Sequence, residues 1–291
     1  MARIIDGKAI AADVRARIAE GVLAIRSRST LHPHLALLLV GDDPASHVYV
    51  RNKGKACEEV GMKSTIVRLP ATATEAEVLA CVDAWNTDPS VHGILVQLPL
   101  PRHISEQNVI LAINPDKDVD GFHPINAGRL LIGSPGFVPC TPAGILELLR
   151  VANVETSGKH AVVVGRSNIV GKPIATLLAQ KRPQGNATVT LCHTGTVDLA
   201  RYTRSADIII AAVGVAGLIT ADHVKPGVTV IDVGMNRVEK PEGGTRLVGD
   251  VDFAAVEPLA SAITPVPGGV GPMTIAMLLS NTLHAAQRTS L

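Results

Sequence analysis

Tyr49 and Lys53 are the first residues in this chain whose types and spacing could do chemistry together. The segment 44–60 reads as a helix stopped by Gly61, and a separation of four puts both side chains on one helical face, one turn apart. Ser46, three residues before Tyr49, shares that face. An amine beside a phenol and a hydroxyl can move protons and orient a polar substrate. By itself a helical lysine is usually a solvated charge, so the pair needs support from elsewhere in the chain.

That support comes from three segments. Gln97 closes a buried aliphatic run, 91–98, and ligands of α/β sheets meet the carboxyl ends of strands. Its bland reading is a strand-end amide satisfied by backbone. The run Asp116-Lys117-Asp118-Val119-Asp120-Gly121 concentrates carboxylates, but it lacks the distal Glu and the flanking helices of a calcium loop, so no metal is expected. The third segment, Gly165-Arg166-Ser167-Asn168-Ile169-Val170-Gly171, lies between a strand, 161–164, and a helix through Gln180. Backbone N–H groups and a helix amino end in that arrangement bind anions. The loop is not G-x-G-x-x-G, and its glycines alone would also suit a tight turn. A further strand, 188–192, completes a βαβ unit of about 30 residues. It ends in His193-Thr194-Gly195-Thr196, with no acid for ribose hydroxyls, while the Arg166 guanidinium can clamp a 2′-phosphate. NADP is expected over NAD. Tyr-x-x-x-Lys also occurs in short-chain dehydrogenases, but there the pair follows the nucleotide loop, whereas Lys53 precedes Gly165 by more than a hundred residues.

The elements that must position these residues alternate between aliphatic runs and helical stretches, the pattern of a parallel α/β sheet. Strands are expected at 35–40, 64–69, 207–213 and 228–233 as well. Thr74 and Glu77 have capping-box spacing, and Thr141-Pro142 reads as an N-cap followed by proline at the first helical position. A Pro-Gly stretch, 265–272, precedes a last amphipathic helix from Met273 to about Ala286. With 291 residues, 46% hydrophobic and 2% aromatic, the core must be aliphatic, and two domains fit the length. Gly, Ser and Pro cluster between Gly133 and Cys140, where the break is expected.

Lys and Arg number 27 against 26 Asp and Glu, and no basic stripe stands out, so a nucleic-acid partner is not expected. Cys57, Cys81, Cys140 and Cys192 form no Cys-x-x-Cys pair, which suits reduced thiols in a cytoplasmic protein. The first twenty residues lack the apolar core of a signal peptide, and the longest apolar run, 208–219, is too short to span a bilayer. No membrane partner is expected.

Taken together the segments resemble the bifunctional methylenetetrahydrofolate dehydrogenase/methenyltetrahydrofolate cyclohydrolase family over essentially the whole chain. The likeness rests on Val40-Gly41 followed by Ser46, Tyr49, Lys53 and Lys55, on 93–101 (GILVQLPLP), 117–122 (KDVDGF) and 139–142 (PCTP), on the loop 165–173, and on 265–274 (PVPGGVGPMT). The resemblance implies a catalytic folate-binding domain, 1–139, completed by the C-terminal helix 273–291, and a Rossmann-like NADP domain, 140–272, with the substrate in a cleft between them. It implies a homodimer. Lys53, Gln97, Tyr49 and Asp120 are its catalytic residues. Tyr49 would stack on the aminobenzoyl ring, Asp120 would accept from the pterin, and Lys53 would serve as the base of the hydrolytic step, held by Gln97. Ser46, Val96, Leu98, Pro267, Gly268 and Gly271 complete the folate contacts. Gly165, Arg166, Ser167 and Gly171 would hold the cofactor, with Thr194, Met235 and Thr274. The nearest alternative is a monofunctional NAD-linked methylenetetrahydrofolate dehydrogenase, and a dinucleotide-sensing binding protein is the non-catalytic one.

Overall fold

Aliphatic runs that each feed an amphipathic stretch leave the backbone one simple solution, parallel strands with helices returning over their faces. In the computed structural model, which describes residues 1–240 and 243–289, the chain opens with β1 (Arg3–Ile4) and α1 (Gly7–Arg26). It continues through β2 (His34–Val40), α2 (Pro44–Glu59), β3 (Lys63–Leu69), α3 (Glu75–Thr87), β4 (Gly93–Val96), α4 (Glu106–Ala112) and α5 (Pro124–Ile132). Then come α6 (Cys140–Val151), β5 (His160–Val164), α7 (Gly171–Ala179), β6 (Thr188–Cys192), α8 (Leu199–Thr203), β7 (Ile208–Ala211) and β8 (Thr229–Asp232). A hairpin of β9 (Asn236–Glu239) and β10 (Thr245–Val248) leads to α9 (Phe253–Val256), β11 (Ala262–Ile263) and α10 (Val270–Thr289). Ser290 and Leu291, the end of the expected final helix, lie outside the described residues.

The chain divides into two compact units, Met1–Ala11 with Thr141–Thr274, and Ala12–Cys140 with Ile275–Leu291. The first is built on a sheet ordered β1-β11-β8-β7-β5-β6, every pair parallel. Counted from β5, the order is 2-1-3-4-5, a doubly wound sheet whose direction of growth reverses between β5 and β7, where such sheets open a ligand crevice at their carboxyl ends. Val162, Ile209, Val230 and Ile263 are all fully buried, which is why these strands read as unbroken aliphatic runs.

The second unit holds a parallel sheet ordered β3-β2-β4. All seven residues of β2 are buried, and Leu38, Ile94 and Val96 pack with Val78 and Val82 of α3 and Val109 of α4. The capping box at α3 forms as read: Glu77 N donates to Thr74 Oγ1 at 3.3 Å and Thr74 N to Glu77 Oε2 at 2.7 Å.

Three expectations are corrected. β4 ends at Val96, because although Gln97 N still donates to Leu38 O, Pro99 has no N–H with which to extend the ladder. Thr141 is not an N-cap: α6 begins at Cys140, and the Thr141 hydroxyl pairs with Thr274 Oγ1 at 2.9 Å. Pro142 remains in the first turn, where a missing N–H costs nothing. α10 starts at Val270, so Gly271 and Pro272 are its first turn and not loop. The two-residue strands β1 and β11 and the β9–β10 hairpin were not foreseen, and the pairing of β1 with β11 places residues 1–11 in the six-stranded unit.

Leu95, 1% exposed at the centre of β4, anchors the sheet that carries Gln97. Leu95→Ala is expected to lower unfolding free energy by about 2–5 kcal/mol, read as a shifted urea midpoint, whereas Leu23→Ala at an exposed position of α1 should barely move it.

Candidate active site

The site is built first by α2. Asp43 caps the helix, its carboxylate accepting from Ser46 N at 2.7 Å, and Pro44 follows at the first helical position. From this start Tyr49 is exposed, while Ser46 and, one turn after Tyr49, Lys53 are buried. Lys53 Nζ donates to Gln97 Oε1 at 3.0 Å. Gln97 is fixed from both ends, its backbone N donating to Leu38 O and its Nε2 to Leu98 O at 2.7 Å. One half of this amide is spent on backbone, and the carbonyl half accepts from the lysine.

Asp120 arrives on the loop after α4. Lys117 O accepts from Ile94 N at 2.8 Å, and Asp118 bridges Ile94, which lays the loop along β4. Burial pushes the Asp120 carboxyl above its ordinary range, opposed by the Lys53 ammonium and the Cys140 thiol. Lys53, Gln97 and Asp120 are thus brought together as expected, with Val96 and Leu98 flanking Gln97.

Three neighbours were missed. Cys140 stands against Asp120 and donates to Val119 O at 3.4 Å; burial, then the Asp120 charge, raises its thiol well above the usual value. Asn281 of α10 donates to Val119 O at 2.8 Å and Val138 O at 3.1 Å, pinning both sides of the loop. Asp118 is 2% exposed and accepts from the residues that follow it. A carboxamide among the apolar residues of α10 was a visible signal for Asn281, but its partners lie more than a hundred residues away.

In the six-stranded unit, Gly165 leaves β5 with φ +118°, and a Cβ there would meet Ala212 O at 2.0 Å. A Cβ on Gly171 would meet Gly165 O at 2.0 Å, so loop and helix amino end touch backbone to backbone. Ser167 Oγ accepts from Val170 N and Gly171 N at 3.1 and 3.3 Å, closing the loop. Arg166 is exposed, as is Thr194. Val164 is paired with Cys192, so Arg166 and Thr194 each stand two residues beyond one register position of adjacent strands. After β7, Val213 N and Gly214 N donate to Asp250 Oδ2 at 2.7 and 3.0 Å, a brace that sequence reasoning did not find. Met235 is 46% exposed. Thr274 is tied to Thr141, and the segment carrying Pro267 and Gly268 is held by Lys8 N donating to Gly268 O at 3.1 Å. Gly271 opens α10 against Met235. Among the described residues no helix is long and apolar enough to cross a membrane.

A doubly wound sheet with an anion-binding turn, and a separate α/β unit carrying an amine, an amide and a carboxylate, define a dinucleotide-dependent enzyme. Residues 5–120 match the catalytic domain of tetrahydrofolate dehydrogenase/cyclohydrolase, and residues 139–290 its NAD(P)-binding domain. The chain is 57% identical over 291 residues to the bifunctional protein FolD of Chlorobium luteolum, covering 99% of each. The bifunctional FolD methylenetetrahydrofolate dehydrogenase/cyclohydrolase structure of Campylobacter jejuni is similar, with a TM-score of 0.94 at 49% identity, 99% of each chain being covered. The Trypanosoma brucei FolD structure, complexed with NADP cofactor and inhibitor, has a TM-score of 0.94 at 41% identity, over 99% of this chain and 98% of that one. The chain belongs to the tetrahydrofolate dehydrogenase/cyclohydrolase family and is a bifunctional enzyme with an NAD(P)-binding domain.

Burial pushes the Cys57 thiol up to about 12 and raises Cys140 as well, leaving both protonated. Iodoacetamide at about pH 8 is expected to label the half-buried Cys81 first and Cys57 and Cys140 only after urea is added, read residue by residue by peptide mass spectrometry.

Proposed function

We propose that the chain oxidises 5,10-methylenetetrahydrofolate to 5,10-methenyltetrahydrofolate with NADP⁺ and hydrolyses that product to 10-formyltetrahydrofolate. The observation that carries this reading is the enclosed Lys53 ammonium, hydrogen-bonded to Gln97 and facing Asp120. The three-stranded unit, Ala12–Cys140 with Ile275 onward, is the folate-binding catalytic domain, and the six-stranded unit takes the cofactor.

The exposed Tyr49 ring offers a face for the aminobenzoyl group, and Asp120 accepts from the pterin N–H groups. Ser46, Val96 and Leu98 shape the same end of the sheet, and the backbone of Pro267, Gly268 and Gly271 supplies further folate contacts. For the oxidative step, positioning is the chain's main contribution. In the hydrolytic step a water adds to the methenyl carbon, the ring C–N bond opens, and the leaving nitrogen takes a proton. A cationic substrate beside Lys53 disfavours its ammonium form, so the neutral amine can take the proton of the attacking water while Gln97 holds it in place.

NADP, when bound, supplies the hydride acceptor. The residues fit it: Gly165 and Gly171 leave no room for a side chain, so N–H groups line the turn, and Ser167 already orders it. Arg166 and Thr194, each two residues beyond the paired ends of β5 and β6, suit a 2′-phosphate, with Met235 and Thr274 completing the cofactor contacts. The same reading makes the protein a cytoplasmic homodimer without nucleic-acid or membrane partners. A monofunctional NAD-linked enzyme is disfavoured by the presence of both Lys53 and Arg166.

Lys53→Met keeps the apolar stem and removes the amine. Cyclohydrolase activity should fall by about 10²–10⁴-fold and dehydrogenase activity by less, followed as methenyl absorbance with NADP⁺. Undiminished hydrolysis would remove Lys53 from the reaction. Arg166→Ala should raise the KM for NADP⁺ strongly and leave that for NAD⁺ almost unchanged. Equal losses for both cofactors, or none, would mean that Arg166 is a solvated loop charge.

A further inference from the structure

Asp118 lies two residues before Asp120 and spends its carboxylate on the start of α5. Oδ1 accepts from Phe122 N at 3.2 Å, and Oδ2 accepts from His123 N at 2.8 Å and Asn126 Nδ2 at 2.9 Å. Its carbonyl accepts from Gly121 N at 3.1 Å, closing a four-residue turn whose third member is Asp120. One residue therefore fixes the turn through its main chain and ties it to the next helix through its side chain. Gly121 permits the closure with φ +75°, and a Cβ there would meet Pro139 N at 2.7 Å.

The arrangement is costly to leave incomplete. Asp118, His123 and Asn126 are all buried, so no water replaces a lost partner. The carboxylate lies where helix N–H groups lack intrahelical acceptors and where the helix dipole favours negative charge. Asn126 has its other amide proton on Pro115 O at 2.8 Å, so the same side chain braces the loop before the turn. Burial still drives the Asp118 carboxyl up to about 6, against the pull of these donors, and Asp120 adds to the rise. The Asp118 side chain takes the two backbone N–H groups at the exit of this turn, Phe122 and His123.

We infer that Asp118, with Asn126, is a positioning residue for folate recognition, holding the Asp120 carboxylate at the distance from Lys53 that the pterin requires. This rests on the reading of Asp120 as the pterin acceptor. Asp118→Ala keeps the main-chain closure but cuts the turn's side-chain tie to α5, and it removes no partner of Lys53 or Gln97. It should raise the folate KM by about tenfold or more, as expected when buried donors lose a charged acceptor, with the KM for NADP⁺ within about twofold of the parent. Asn126→Ala, which removes one of three donors, should act in the same direction and less. The exchange Asp118→Asn with Asn126→Asp restores a carboxamide–carboxylate pair and should recover part of the folate KM that Asp118→Asn alone loses.

Asp120→Ala is measured beside them. If it leaves the folate KM unchanged, the reading of Asp120 fails. If it raises the KM and neither Asp118→Ala nor Asn126→Ala does, the positioning role fails. A loss shared equally between folate and NADP⁺, with no recovery in the exchanged pair, would make Asp118 a general support of the fold. Should Asp118→Ala not fold, Asn126→Ala and the exchanged pair decide between these outcomes.

Discussion

An ammonium group enclosed at the end of an aliphatic sheet must find acceptors and opposite charge close by, since leaving it unpaired costs several kcal/mol. Lys53 is in that position at 8% exposure, and much of the three-stranded unit answers to it. Gln97 supplies the acceptor and is fixed by the β2 backbone. Asp120 supplies the opposing charge, and the lysine pulls down a carboxyl that burial raises. The loop bearing Asp120 is in turn laid along β4 and pinned by Asn281. Gln97 and the Asp120 loop are themselves held through backbone groups, at Leu38 O, Leu98 O and Val119 O.

That dependence explains what could be read from sequence. Tyr49 and Lys53 were legible because one helical turn relates them, and helical geometry needs no tertiary information. Strands such as β2, β5 and β6 were legible because burial on both faces leaves only aliphatic residues. Asp118 and Cys140 were not, because their importance lies in partners brought near by folding, and nothing local separates Asp118 from Asp116. Thr141 misled for a related reason: a Thr-Pro pair is a sound capping signal until the hydroxyl finds a tertiary partner in Thr274. β1 escaped because two residues carry no periodicity; its pairing with β11 is a property of the sheet.

The two units solve different problems with one device. At the turn after β5, glycines remove side chains so that loop and helix amino end meet backbone to backbone. At the Asp120 turn, glycine permits a closure that aims a carboxylate at donors. One turn follows β5 and the other α4, and in each unit a buried aspartate takes backbone N–H groups, Asp250 on Val213 and Gly214 after β7 and Asp118 on Phe122 and His123. Acidic residues here serve the backbone as much as the ligand.

The division of the chain also governs how it is made. The boundary between units is crossed at residues 11, 140 and 274, so neither unit is a continuous stretch. On the ribosome, at about 5–20 residues per second, β1 waits for its partner until Ala262–Ile263 has emerged. Asp120 likewise lacks its Asn281 brace until α10 is out. The three-stranded sheet needs only local crossovers, whereas the loop bearing Asp120 is pinned only after α10 has been made. A polypeptide that stops short of α10 carries Lys53 and Gln97 without the Asn281 brace on the loop that bears Asp120.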